Sequence, residues 1–345
     1  MELSIIVPVY NMAAEGKLEY CLDSLLNQQV ADYEIIAVDD ASTDTSAEIL
    51  NRYAKQYPEK VRVILSEKNL RQGGAKNLGI RAARGEFLGF MDSDDWAAPD
   101  MFAKLLARAY ETGADVVGCD YNIVHSHTMT PGHAVTMNTE EQTGVLDEDK
   151  RKKLILMPGS MVVKIYKREI IVENELWFPE HIFYEDNCMA PLWLLHCTHF
   201  ERVDEPLYFY YQHEASTVHY ISVQKCRDRV TAMELFLEKC RAYGFYDRFF
   251  SEIEYKYTVL AFLTTLFSCM GSRTKGKYRL IGELRRIQKK RFPQYAENVY
   301  YKERTNREEQ KLAAMLMRSR LLFWLYYYAL HGYRGLRKAV MGGKG

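Results

Sequence analysis

Several familiar signatures are missing from this 345-residue chain, and each absence narrows what it can be. No apolar run approaches the roughly 20 residues needed to cross a bilayer; the run Leu321–Leu330 stops at ten. The seven cysteines (Cys21, Cys119, Cys188, Cys197, Cys226, Cys240, Cys269) are odd in number and contain no CxxC pair. That argues against a disulfide framework and a zinc site, and for the reduced thiols of a cytosolic protein. No GxGxxG follows the first apolar run, so a dinucleotide-binding dehydrogenase is unsupported. Gln72-Gly73-Gly74-Ala75-Lys76-Asn77 lacks the Gly-Lys-Ser/Thr ending of an ATPase phosphate loop. Met1-Glu2-Leu3-Ser4 leads straight into Ile5-Ile6-Val7 with no basic region, so a secretory leader is not expected. Net charge is absent too: 46 Lys/Arg balance 46 Asp/Glu, which argues against a dedicated nucleic-acid binder. No internal repeat or low-complexity tract stands out, and a 48% hydrophobic share is enough to bury a core.

What is present alternates. Ser4–Tyr10 and Tyr33–Val38 are short, β-branched and apolar, as buried strands are. Val61–Leu65 and Glu86–Met91 continue the series. Helices are expected between them, near Glu19–Gln29, over Thr43–Tyr57 with Ser42 or Thr43 as N-cap, and over Gly74–Ala83. Strands and helices at this spacing imply βαβ units and a largely parallel sheet, with ligands beyond the carboxyl ends of the strands. Tyr10-Asn11, Asp39-Asp40 and Asp92–Asp95 all fall at such ends. Past Trp96 the pattern predicts a helix at Met101–Thr112, a strand at Asp115–Cys119, an irregular excursion over His125–Val145, a strand at Val162–Tyr166 and a helix at Asp186–His196. From Ser222 onward the chain reads as helical, with a basic interruption at Arg273–Arg291.

Three clusters carry candidate chemistry. Alternate residues of an extended segment share a side, so Asp92 and Asp94 can converge and suit a hard cation such as Mg²⁺ or Mn²⁺. The alternative is a polar loop with one Asp capping the next helix. Ser42, Thr43 and Asp44 read as caps; Asp39 does not, and could accept hydrogen bonds from a nucleobase or sugar. Glu185-Asp186 is either an acidic first helical turn or a catalytic pair.

Taken in order, these segments resemble glycosyltransferase family 2, inverting enzymes with a GT-A fold. The matching stretches are Ser4–Asn11, Glu34–Asp44, Asn69–Asn77, Gly85–Asp95 and Phe183–Asn187. The resemblance covers about residues 1–220. It implies an α/β GT-A catalytic domain over 1–220, with a nucleotide-sugar half near 1–96, an acceptor half near 97–220 and a mostly parallel, helix-flanked sheet. A helical basic region, 221–345, would follow. Pro8, Tyr10 and Asp39 would line the base and ribose pocket of a nucleoside diphosphate sugar, most commonly UDP, with Gln72 and Lys76 nearby. The family often has Arg where Lys76 stands. Asp92 would contact the ribose or sugar side, and Asp94 would hold Mn²⁺ or Mg²⁺ on the diphosphate. Asp186 matches the catalytic base, with Glu185 as fallback. His213 would complete the metal shell and Ser216 would donate to phosphate. Trp96 and Trp177 would stack on an acceptor sugar or pack in the core.

The competing readings are a nucleotidyltransferase, which would want a Gly-rich basic loop where Tyr10–Glu15 stands, and a non-catalytic nucleotide-sugar-binding subunit. The tail adds a partner. Residues 271–345 hold 19 Lys/Arg against 5 Asp/Glu, and 311–345 hold seven against none. Beside the Leu321–Leu330 run this predicts peripheral attachment to an anionic membrane at its cytoplasmic face, or a helix docked on protein. The expected acceptor is a glycan or a lipid-linked sugar; the oligomeric state is left open.

Overall fold

In the computed structural model, which describes residues 1–212, 221–271 and 275–342, the first apolar run forms strand β1 (Leu3–Val9), buried along its length. It pairs in parallel with β2 (Tyr33–Asp39) and β4 (Phe87–Phe90), and β2 pairs in parallel with β3 (Val61–Leu65). Parallel neighbours need a crossover. The crossovers are α1 (Lys17–Leu26), α2 (Ser46–Gln56) and α3 (Arg71–Ala82). Leu18, Cys21, Leu22 and Leu25 give α1 a buried stripe at helical spacing. Gly79 lets α3 lie against β1: a Cβ there would sit 2.5 Å from Ile6 Cγ2.

The sheet then turns mixed. After β5 (Trp96–Ala97) and α4 (Met101–Thr112) come β6 (Val116–Val124), β7 (His133–Val135), β8 (Gly144–Val145), α5 (Glu148–Leu156), β9 (Lys164–Lys167), α6 (Arg168–Glu173), α7 (Glu185–His196) and β10 (His199–Tyr211). The strand order is β3-β2-β1-β4-β9-β6-β10-β5, with β7 on β6 and β8 on β10. Strand β9 runs antiparallel to both neighbours, while β10 runs parallel to β6. The carboxyl ends of β1, β2 and β4 thus share one edge, as the alternation predicts.

The chain divides into two compact units, Met1–Tyr220 with Thr231–Phe245, and Ile221–Val230 with Tyr246–Gly345. Helix α8 (Val223–Ala242) contributes to both. The second unit contains α9 (Phe245–Arg248, its first residue belonging to the first unit), α10 (Phe250–Tyr257), α11 (Thr265–Gly271), α12 (Lys277–Arg291), α13 (Val299–Arg304), α14 (Arg307–Arg318) and α15 (Arg320–Gly342). Phe262, Leu266, Ile281, Leu284, Leu312, Leu316 and Phe323 are among its buried side chains. The basic segment expected as an interruption is therefore largely helix α12. Its Lys and Arg residues fall around a stripe of Leu280, Ile281 and Leu284, so charge and helicity coexist. Among the described residues, no helix is long and apolar enough to cross a membrane.

Candidate active site

At the shared strand edge, the loop after β1 is stitched to the loop after β2. Asn11 takes a left-handed turn (φ 53°). Its N–H donates to Ser42 Oγ at 3.0 Å, and its Oδ1 accepts from Thr43 N at 2.8 Å. Asp44 accepts from Ala13 N and Ser46 N, both at 3.0 Å, and these donors hold its carboxyl below the usual range despite some burial. Ser42 and Thr43 therefore serve the neighbouring loop and not a helix end. Helix α2 starts at Ser46, three residues later than the sequence pattern predicts.

Asp39 ends β2 almost fully buried. Its Oδ2 accepts from Ser42 N at 3.1 Å, and its Oδ1 has no hydrogen-bond partner. A buried acceptor left unmet is costly unless something outside the protein meets it. Asp40 is used differently, accepting Leu70 N at 2.7 Å and so tying the entry of α3 to β2. Pro8 lies buried in β1 opposite Val38, and Tyr10 presents a ring that is 47% exposed.

Strand β4 stops at Phe90, and residues 92–95 close a turn, Asp95 N donating to Asp92 O at 3.0 Å. The extended geometry expected for Asp92 and Asp94 is therefore replaced by a turn, yet the two charges still act on each other. Burial and the charges of Asp94, Glu185 and Asp186 raise the Asp92 carboxyl to about 6, against the pull of Lys76. Asp95 points elsewhere: it accepts Tyr208 Oη at 2.6 Å and Tyr211 N at 2.8 Å, pinning the turn to β10. The sequence pattern groups Asp95 with the acidic cluster and gives it no role.

Glu185 and Asp186 open α7 behind Tyr184, a non-glycine residue at φ 65°. Glu185 is 4% exposed and forms an ion pair with Lys76 Nζ at 2.8 Å. Lys76 is itself buried, with Gln72 Oε1 at 3.4 Å. Burial works against its charge, but Glu185, Asp92 and Asp186 outweigh it and raise the ammonium above its ordinary value. Asp186, next along the helix, is exposed. The protein packed around it and the Glu185 charge raise its carboxyl, partly offset by Lys76 and two backbone N–H groups. Three elements thus bring Asp92, Asp94, Lys76, Glu185 and Asp186 into one electrostatic cluster.

A family model described as "Glycosyl transferase family 2" matches residues 4–173, the span holding the strand edge and the acidic turn. Residues 4–173 form a domain of this family. The chain is 36% identical over 213 residues to the uncharacterized glycosyltransferase EpsJ of Bacillus subtilis, covering 60% of each chain. It is 33% identical over 187 residues to a poly(ribitol-phosphate) beta-glucosyltransferase of Bacillus spizizenii, covering 53% of this chain and 27% of that one. The chain thus spans three fifths or less of these relatives' length. A crystal structure of S. aureus TarS 1-349 in complex with UDP-GlcNAc superposes with a TM-score of 0.73 at 22% identity, covering 97% of this chain and 92% of that one. The fold is therefore the GT-A type.

Within this family 2 domain the remaining expected residues fall as follows. Trp96 is fully buried: its Nε1 donates to Thr128 O at 2.9 Å, and Tyr20, Phe209 and Tyr211 pack around it. It has no open face for a sugar, so the packing alternative holds. Trp177 is half-buried beneath the Arg81 guanidinium, 4.9 Å from its ring centre. His213 and Ser216 lie outside the described residues. Among those described, no three His, Cys, Asp or Glu side chains gather as a ligand set. The donor chemistry still fits a hard divalent ion. Asp92 and Asp94 supply carboxylate oxygens close to the charges of Glu185 and Asp186, and Mg²⁺ or Mn²⁺ commonly completes its shell with water and substrate phosphate.

Proposed function

We propose that this chain transfers a sugar, with inversion, from a nucleoside diphosphate sugar to a hydroxyl of a glycan or lipid-linked acceptor in cell-surface polysaccharide synthesis. UDP is the favoured nucleotide, in keeping with the UDP-GlcNAc bound by its structural neighbour. One observation carries the chemistry. Of two adjacent carboxylates, Glu185 is buried and neutralised by Lys76, while Asp186 is open to an acceptor and has no such cation among the described residues, its carboxyl raised by the surrounding protein and by Glu185. In this reading Asp186 takes the acceptor's proton as its oxygen attacks the anomeric carbon. The bond to the diphosphate breaks on the opposite face, and its electron pair leaves with the nucleotide. Lys76 holds Glu185 away from that proton. The unmet Asp39 Oδ1 accepts from the base or ribose, beside Pro8, Tyr10 and Gln72. Asp94 and Asp92 would hold Mg²⁺ or Mn²⁺, which supplies positive charge to the departing diphosphate. The test is Asp186→Asn, which keeps shape and removes basicity: kcat should fall by roughly 10²–10⁴ with donor binding little changed. An active Asp186→Asn beside a dead Glu185→Gln would exchange the two roles.

The second unit supports attachment to an anionic membrane. Helix α15 turns Phe323 inward and leaves Leu321 (70% exposed), Leu325 (62%) and Tyr328 (52%) along one outer face. The leucines, more than the buried Phe323, would insert, while the basic residues of 311–345 supply attraction that salt screens. Cutting the chain at Gln310 would strip the buried Leu312 and Leu316 from the unit, so substitution is the cleaner test. The intact protein should sediment with anionic vesicles at low salt, and Leu321→Ser with Leu325→Ser should release it; indifference of both to lipid overturns the assignment.

A further inference from the structure

The segment that carries the proposed base is held in an unfavourable backbone shape. His181 and Tyr184 both lie in the left-handed region, at φ 62° and 65°, and neither is glycine. Such conformations persist where the surroundings over-determine them. Here the surroundings come from one short stretch, residues 70–77. Leu70 O accepts His181 N at 3.0 Å. Asn77 grips Phe178 twice, donating to its carbonyl and accepting from its N–H, both at 2.9 Å. Gly73 makes room: a Cβ there would lie 2.3 Å from Pro179 O and 3.3 Å from Glu185 Cβ. The Arg71 guanidinium sits 4.0 Å from the centre of the Phe183 ring, one residue before the Tyr184 turn.

Arg71 is the informative member. It too is left-handed, at φ 61°, where glycine would sit without strain. Its side chain forms no ion pair among the described residues, and its partner is the Phe183 face. A cation on an aromatic face is attracted to it, more strongly as water is excluded. That contact presses Phe183 onto α3 and fixes the turn from which Glu185 and Asp186 project. We infer that Arg71, backed by Asn77, is a positioning residue for the base: it acts on the reaction through the 178–186 segment and not by touching substrate. The inference rests on Asp186 being that base.

The experiment is a cycle of Arg71→Gly, Arg71→Lys and Asp186→Asn in the full chain, read by kcat, donor KM and melting temperature. Arg71→Gly relieves the left-handed strain, so its melting temperature should match or exceed that of the parent. Its kcat should fall on the order of ten- to a hundredfold, the scale of a misplaced catalytic group, with donor KM unchanged. Arg71→Lys keeps a cation over the ring and should retain most of kcat. In the Asp186→Asn background Arg71→Gly should cost nothing further, because the group it positions is gone. An unchanged kcat, a raised donor KM alone, or the same fold-loss in both backgrounds overturns the inference. If Asp186→Asn by itself is fully active, the base reading fails and this inference with it. If Asp186→Asn is dead and Arg71→Gly silent, only this inference fails.

Discussion

At the amino-terminal ends of β1 and β2, Glu34 is completely buried and fully served: it accepts from Ser4 Oγ, Arg62 Nη1, Arg84 Nη2 and Arg84 N at 2.7–2.9 Å. At the carboxyl edge of the same sheet, Asp39 at the end of β2 keeps a buried oxygen without a partner, and Asp92, just after β4, is crowded by other acids. Burial by itself would raise the Glu34 carboxyl, but its arginine and hydroxyl donors win and bring it down to about 2. Asp92 goes the other way, to about 6. One edge of the sheet spends its carboxylate on holding four chain segments together. The other leaves Asp39 Oδ1 unmet and sets Asp92 among other acids, as a site for a cationic or hydrogen-bonding ligand requires.

The contrast can be broken from either edge. The largest effect should come from removing a metal: thorough chelation should abolish transfer, and Mn²⁺ or Mg²⁺ should restore it. Asp94→Ala should lose more activity than Asp92→Ala. Full turnover in chelated enzyme would sink the metal assignment. Next, Glu34→Gln should destabilise the fold by up to about 3 kcal/mol, since each tenfold change in proton affinity is worth roughly 1.4 kcal/mol, without altering donor affinity. The sign follows from the lowered value. Glu34 contributes its full stability above the ordinary carboxylate range near 4.5, and loses it as pH falls toward 2. Thermal melts between pH 5 and 2 should therefore fall more steeply for the parent than for Glu34→Gln; parallel curves would show the carboxylate is not the cause. The smallest effect belongs to Asp39→Asn. It should weaken nucleotide binding about tenfold, the worth of one hydrogen bond to a charged group, and leave the melting temperature nearly unchanged. A melting temperature that drops while nucleotide affinity holds would move Asp39 to the structural side.

The strand edge was readable because its signals are local. Leu3–Val9 and Tyr33–Asp39 are apolar on both faces, Asp39 closes its strand, and Asp92 and Asp94 follow β4 within four positions. The same holds for Glu185 and Asp186, which open α7 next to where the pattern starts it. Strand β10 was not legible. Its 13 residues include Glu201, Asp204, Glu205 and Pro206, and register shifts on either side of Pro206 break the alternation that would announce it. Nor was the start of α2, since Ser42 and Thr43 look like caps until Asn11 takes them.

Sequence alone determined the βαβ order, the two acidic strand ends and the acidic pair of α7. Each depends on neighbours within a few positions, where periodicity and side-chain type decide the outcome. Tertiary structure alone decided how the acids divide their work. Lys76 meets Glu185 across 109 positions, Tyr208 meets Asp95 across 113, and Asn77 meets Phe178 across 101. Whether a carboxylate becomes base, brace or ligand depends on which donor reaches it and whether water does. Both are set by packing between segments far apart in the chain, which no local pattern encodes.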